Sequence, residues 1–217
     1  MDNPQLAWRE RLQEERRQHI LEAAARVFAR KGFERATMKE IAAEAGISPG
    51  TIYLYFKNKK DLLVNLPSLI GEPVLAEVTG EMSRLQIGDR SPDLEPLLQQ
   101  LVRSGIQRLV QNADVFRVLV SAIPVMDEET REAYLRRTPL SMAGVLEQMI
   151  QAQIEQEVFR PMNPAIVARA LVGMVVSFVM LQEILLGQRV TPFDYDEVAQ
   201  EITRLFLYGA LLRSKVS

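Results

Sequence analysis

The sequence predicts an all-α protein, and three observations predict it. Apolar residues recur at three- and four-residue spacing along nearly the whole chain, alternating β-branched runs are few, and the breaks between segments carry helix caps. Ser48-Pro49, Ser91-Pro92, Thr138-Pro139 and Asn163-Pro164 each set a capping side chain before a proline, which suits the first helical turn because its missing N–H has no partner there anyway. At 217 residues and 47% hydrophobic the chain can bury a substantial core. Roughly nine helices account for its length.

The first helix is expected from about Arg16 to Lys31, where Ile20, Ala24, Val27 and Phe28 share one face. Gly32 followed by Phe33 closes it, and the residues before it read as a frayed arm. Thr37 and Glu40 form a capping box that starts a second helix at Met38, with Ile41, Ala42 and Ala45 inward until Gly46 stops it. Ser48 and Pro49 open a third, reaching about Phe56, with Ile47 able to staple onto Ile52. Asn58 caps a fourth that runs through Leu62, Leu63 and Leu66 to Pro67. Further on, Pro164 to Leu186 is apolar on nearly all faces, with Gly187 as its stop, and Asp194 with Glu197 opens the last helix. The longest apolar tract, Ala170 to Leu181, falls short of the roughly 20 helical residues that cross a bilayer, so it reads as a buried helix.

The stretch from Ile41 to Ile52 reads Ile-Ala-Ala-Glu-Ala-Gly-Ile-Ser-Pro-Gly-Thr-Ile. Small Ala42 lets two helices cross closely, Gly46 makes the tight turn, and Ile47 and Ile52 lock the second short helix onto the first. This is a helix-turn-helix constellation, which holds one helix proud of the surface for the major groove of DNA. With Ile52 and Phe56 turned inward, Pro49, Gly50, Thr51, Tyr53, Leu54 and Tyr55 face outward as candidate contacts. Gly50 permits close backbone approach, the Thr51 and Tyr55 hydroxyls suit phosphates, and Tyr53 can lie against sugar or a thymine methyl. Few of these groups make bidentate base contacts, so specificity leans on apolar contacts and DNA shape, with Lys39 as a further reader. Lys59 opens the fourth helix, where free N–H groups and the dipole favour an anion. Each feature alone also fits plain packing. The Ala42/Gly46 spacing serves any close crossing, the Tyr53, Tyr55, Phe56 cluster reads as core, and Lys57, Lys59 and Lys60 read as a solvated face.

Composition excludes several classes. There is no cysteine and a single histidine, His19, which leaves no disulfide, thiolate metal site or histidine cluster. No phosphate loop or nucleophile with its base stands out, so neither metal, cofactor nor enzymatic activity is expected. Residues 1–65 hold 12 Lys plus Arg against 9 Asp plus Glu, whereas residues 66–217 hold 14 against 19, a mildly basic head on an acidic body. That distribution suits setting one end on phosphates, and suits a solvated surface equally. The start, MDNPQLAWRE, lacks the apolar core of a signal peptide, so a cytoplasmic protein free of membranes is expected.

The segment ILEAAARVFARKGFERATMKEIAAEAGISPGTIYLYFKNKKDLLVNL, residues 20–66, resembles the DNA-binding domain of the TetR (tetracycline repressor) family over its whole length. The resemblance implies a three-helix head within residues 1–66, with Ser48 to Tyr55 as recognition helix and phosphate contacts from Thr51, Tyr55 and Lys59. It implies also that residues 67–217 bind a small-molecule effector and pair with a second subunit. The whole would then be a homodimeric, ligand-responsive repressor of a palindromic operator in double-stranded DNA.

Two further sets of candidates follow from the larger domain. Its last two apolar helices need covering, which places a dimer seam at Ile166, Ala170, Gly173, Val175 and Ser177 with Val198, Ile202, Leu205 and Phe206; burial within the monomer is the other reading. Phe116, Met126, Tyr134, Met142, Met149, Met174 and Phe178 are soft or aromatic groups suited to an adaptable effector cavity, and to ordinary core packing as well. A second functional reading keeps the DNA-binding head but gives the large domain a protein partner in place of a metabolite.

Overall fold

Helices occupy most of the chain in the computed structural model, which describes residues 4–85, 94–137 and 139–211, and no strand forms among them. In order they are α1 (Pro4–Lys31), α2 (Met38–Glu44), α3 (Pro49–Ile52), α4 (Lys59–Asn65), α5 (Ser68–Leu85) and α6 (Leu94–Gln111), then α7 (Ala113–Ala122), α8 (Glu128–Arg137), α9 (Pro139–Glu155), α10 (Pro164–Val179) and α11 (Tyr195–Ala210). The chain divides into two compact units, residues 1–69 with 114–137, and residues 70–113 with 138–217. The grouping of 114–137 with the head differs from the expectation that everything beyond 66 forms one domain.

In the first unit, α1 starts at Pro4, where a frayed arm was expected. The extension is built from Gln, Leu, Ala, Arg and Glu, all good helix formers, with proline at its first position and Glu14 within 3.8 Å of Arg17. Thr37 and Glu40 do form the capping box: the Glu40 N–H donates to Thr37 Oγ1 at 3.3 Å and the Thr37 N–H to Glu40 Oε2 at 3.1 Å. Gly46, at φ 65°, makes the turn in the left-handed region that glycine adopts freely. Ser48 caps α3 by accepting from the Thr51 N–H at 3.1 Å. α3 then ends at Ile52, earlier than expected, because Leu54 and Tyr55 donate three residues back and tighten the last turn. Ile20, Phe28, Ile41, Ile52, Phe56 and Leu62 form the fully buried core. Each is worth about 1.5–3 kcal/mol of apolar burial.

In the second unit, α6 packs against both α10 and α11, and α10 also against α9. Leu101, Val102 and Ile106 of α6 meet an interior that includes Ala168, Leu171 and Val179 of α10 and Val198, Ile202 and Leu207 of α11. Asn163 caps α10, its Oδ1 accepting from the Ile166 N–H at 3.2 Å. The helix continues past Val179 as a π-turn to Ile184, giving 21 helical residues of mean hydropathy 2.1. By length and composition alone it could cross a membrane, which corrects the shorter tract read from sequence. Only 22% of its apolar window is buried within the chain, so the burial expected of this helix is not supplied by its own subunit alone. Leu186 takes the left-handed conformation at the helix end (φ 58°). A Cβ on Gly187 would come within 2.5 Å of the Leu181 carbonyl oxygen, which explains a glycine there by close approach.

Candidate nucleic-acid interface

The geometry of the head is set by what lies beneath it. Ile41, Ala42, Ala45 and Ile52 are buried at the α2–α3 crossing, so the side chains around α3 that point away from α1 are left outward. Ser48, Pro49 and Gly50 are exposed, Tyr53 is 57% and Leu54 82% exposed, while Thr51 and Tyr55 are half-buried. An exposed Tyr-Leu pair on a rigid helix end is an unfavourable surface in water unless it meets a partner. Lys39 on α2 is exposed, and no ion pair holds it among the described residues.

Several polar ties hold this edge in place. Glu44 at the end of α2 accepts from Arg26 Nε at 2.9 Å and from Arg30 at 2.6 Å, both on α1. The Arg30 hydrogen bond, then that of Arg26, draws the Glu44 carboxyl down to about 2. Ser48 Oγ and Thr51 Oγ1 lie 2.8 Å apart, so the two hydroxyls are already engaged with one another. Arg17 donates to the Tyr55 carbonyl and to Asn65 Oδ1, and its guanidinium lies 4.6 Å from the centre of the Phe56 ring.

Lys59, expected to contact a phosphate, is tied within the head. Its ammonium donates to the Phe33 carbonyl at 2.9 Å and the Glu34 carbonyl at 2.8 Å and sits 5.0 Å from the Phe33 ring centre. It thus ties the start of α4 to the loop after α1. Lys60 is paired with Asp127, whose carboxyl is held well below its usual range by that hydrogen bond. Lys57 is exposed, its backbone N–H donating to Asp61 Oδ2 at 2.9 Å, and no partner holds its side chain among the described residues. Lys57 and Lys60 were expected to add to the anion grip of Lys59, with a solvated face as the other reading of all three.

The second unit contains two neighbouring cavities. One, of about 120 Å³, is lined wholly by apolar residues of α5, α6, α9 and α10, among them Leu75, Leu109, Val145 and Val175. The other, of about 170 Å³, reaches from α6 and α9 to α11 and adds Gln153, Gln156 and Phe159. Of the expected effector residues, Met149 is the one among the described side chains that lines either of these two cavities. Phe116, Met126 and Tyr134 belong to the first unit, where Phe116 and Met126 are core and burial raises the Tyr134 phenol. Met174 lines neither cavity, and Phe178 stacks edge-on against Phe193, 6.0 Å between ring centres. The side chain of Met142 lies outside the described residues.

The expected dimer seam also divides. Val198, Ile202 and Phe206 are at most 9% exposed because that face of α11 packs into its own subunit. Val175 faces the apolar cavity. Ile166, Ala170, Gly173 and Ser177 remain exposed on one stripe of α10, continued by Leu181, and Leu205 with Tyr208 are exposed on α11.

A rigid helix-turn-helix with an exposed second helix, attached to a larger all-helical part, defines a DNA-binding transcriptional regulator. Comparison with known proteins agrees. The family described as "Bacterial regulatory proteins, tetR family" matches residues 20–66, and "Tetracyclin repressor-like, C-terminal domain" matches residues 95–180. The chain belongs to the TetR family of transcriptional regulators. The fatty acid metabolism regulator protein of Bacillus subtilis is 49% identical over 47 residues, which is 22% of this chain and only 24% of that protein. YfiR, an uncharacterized HTH-type transcriptional regulator of the same organism, is 29% identical over 160 residues, covering 70% of this chain and 71% of the other. Among solved structures, the fatty acid degradation regulator FadR of Bacillus halodurans superposes with a TM-score of 0.67 at 22% identity, covering 91% of this chain and 96% of its own, a likeness of fold.

Proposed function

We propose that the chain works as a homodimeric repressor that leaves a palindromic operator when a small, largely apolar effector occupies the second unit of each subunit. The observation that carries this reading is the pair of adjoining cavities, one wholly apolar and one largely so, in the unit that also carries the uncovered α10–α11 face. A domain meant only to dock another protein has no need of apolar clefts reaching between α6, α9 and α10, since unfilled space there forfeits packing contacts. The uncovered stripe of Ile166, Ala170, Gly173, Ser177, Leu205 and Tyr208 suits a two-fold helix pairing. Ser48 to Gly50, Tyr53 and Leu54 read the groove, with Thr51, Tyr55 and Lys39 beside them. Effector binding acts only through preference for the form whose two heads are wrongly spaced for DNA. The names of the Bacillus subtilis and Bacillus halodurans proteins refer to fatty acid metabolism, with which an apolar effector is in line.

The test is native mass spectrometry of the protein from its own host, followed by titration of selected operator DNA with and without whatever co-purifies. A dimer carrying a small molecule that loosens DNA supports the reading. An empty dimer whose operator affinity ignores added metabolites moves the weight to a protein partner.

A further inference from the structure

The two cavities adjoin, for Leu98, Leu101, Leu146 and Leu171 line both. Together they run along α6 from Leu94 to Leu109, a helical span of about 22 Å. A compact molecule does not need such a length, but an extended hydrocarbon chain does. The compartments differ in chemistry. The first offers no polar side chain at all, whereas the second is lined also by Gln153, half-buried, and Gln156, exposed at its mouth, and neither side chain has a hydrogen-bond partner among the described residues. No Lys, Arg, Asp or Glu lines either one. An ionised head group drawn in past that mouth would lose hydration with no counter-charge on the lining to replace it. A neutral hydroxyl, ester or amide would instead exchange water for a carboxamide at little loss.

From this we infer that the ligand of the second unit is a long-chain, uncharged amphiphile, its hydrocarbon in the all-apolar compartment and its neutral head at Gln153 and Gln156. The inference rests on the effector reading above and narrows its chemistry. Arg108 is the nearest challenge to it. Its Nε is buried without a partner one turn beyond Gly105, yet it lines neither cavity.

The experiment compares three probes of one chain length, 1-tetradecanol, tetradecanoate and tetradecyltrimethylammonium, each below its micelle concentration, by calorimetry on the full-length protein. The alcohol is expected to bind at least tenfold more tightly than either ion. Gly105→Leu tests the tail site. A Cβ there would meet Val175 Cγ1 at 3.9 Å, an ordinary contact, so the rest of the leucine occupies the cavity while helix propensity improves. That variant should keep its melting temperature and lose at least tenfold in affinity for the alcohol. Gln153→Leu with Gln156→Leu tests the head site independently and should weaken the alcohol several-fold.

Tetradecanoate binding as tightly as the alcohol, and losing that affinity in Arg108→Gln, overturns the neutral head. Undiminished alcohol binding in Gly105→Leu, or no binding of any probe, overturns the site. Operator affinity is read separately. Alcohol binding that leaves DNA affinity unchanged sustains this inference and sinks the release reading, whereas release by some unrelated molecule does the reverse.

Discussion

The guanidinium of Arg17 on α1 donates to the backbone carbonyl of Tyr55 at 3.1 Å and, through its other terminal nitrogen, to Asn65 Oδ1 at 3.2 Å. One side chain therefore joins the long first helix, the end of the segment that follows α3, and α4. Asn65 is buried and is itself held, its Nδ2 donating to the Asp61 carbonyl at 2.7 Å and to Asp61 Oδ1 at 3.0 Å. Planarity matters here, because only a fork can serve two acceptors while lying over the Phe56 ring. Arg17→Ala should lower unfolding stability by about 2 kcal/mol, the usual cost of losing charge-assisted bonds at a half-buried site. Arg17→Lys should recover only part of it. Urea unfolding of the two variants checks this, and equal stability of both with the parent would remove the Arg17 tie from the account.

Lys59 and Lys57 lie two residues apart and should behave differently on DNA. Lys59 spends two donors on the carbonyls of Phe33 and Glu34, whereas Lys57 projects into solvent. Lys57→Ala, or Lys39→Ala, should weaken binding to all sequences and reduce the slope of log affinity against log salt by about one, as loss of a phosphate contact does. Lys59→Ala should instead lower the stability of the head, with the salt slope kept. Anisotropy titrations over a salt series separate the cases; a slope change on Lys59 rather than Lys57 would restore the phosphate role to Lys59.

Acid should loosen the α1–α2 contact through Glu44. Its carboxyl falls from the ordinary 4.5 to about 2 because Arg30 and Arg26 hydrogen-bond to its charged form. A group whose folded pKa is depressed contributes stability above its unfolded value and loses it as pH falls toward the folded one. The contribution is thus complete at pH 6 and fades between pH 4.5 and 2. The pair is exposed, so salt should blunt it. Melting temperature against pH for the parent and Glu44→Gln should diverge at pH 6 and converge near pH 2. Parallel curves would show that Glu44 contributes nothing to the acid limb.

How much of this was legible in the sequence depends on how local the causes are. The capping box of Thr37 and Glu40, the glycine turn at Gly46 and the Ser48-Pro49 cap act within a few residues, and the helices they punctuate stand where those residues put them. The tie of Lys59 to the loop after α1 was not legible because its partners are backbone carbonyls 25 and 26 residues away, a kind of acceptor that every residue carries and no pattern marks. The surroundings of Val175 and Val198 within the subunit were not legible for another reason. α10 is apolar on almost every side, so periodicity cannot say which face meets the subunit's own interior and which is left uncovered. The grouping of residues 114–137 with the head was invisible too. It depends on α8 packing against α4 and on the Lys60–Asp127 pair, 67 residues apart.

The exposed stripe on α10 gives the sharpest test of assembly, because neighbouring positions on that helix have opposite surroundings. Gly173 is exposed, and a Cβ placed there meets nothing within 4 Å, so an isolated subunit accommodates Gly173→Arg without strain. Val175 lines the apolar cavity, where an arginine must bury its charge without a partner or push α6 and α10 apart. If α10 and α11 pair across a two-fold axis, Gly173→Arg faces its own copy and sets two like charges in a desolvated seam. Gly173→Arg should therefore keep the parent's melting transition to within a few degrees and sediment as a monomer at low micromolar concentration. Val175→Arg should lose stability by several kcal/mol, the cost of an unpaired buried charge, whatever its oligomeric state. Sedimentation velocity alongside circular dichroism reads both quantities. A folded Gly173→Arg protein that remains a dimer moves the seam elsewhere, and a Val175→Arg protein as stable as the parent shows that the cavity is open to water at that point.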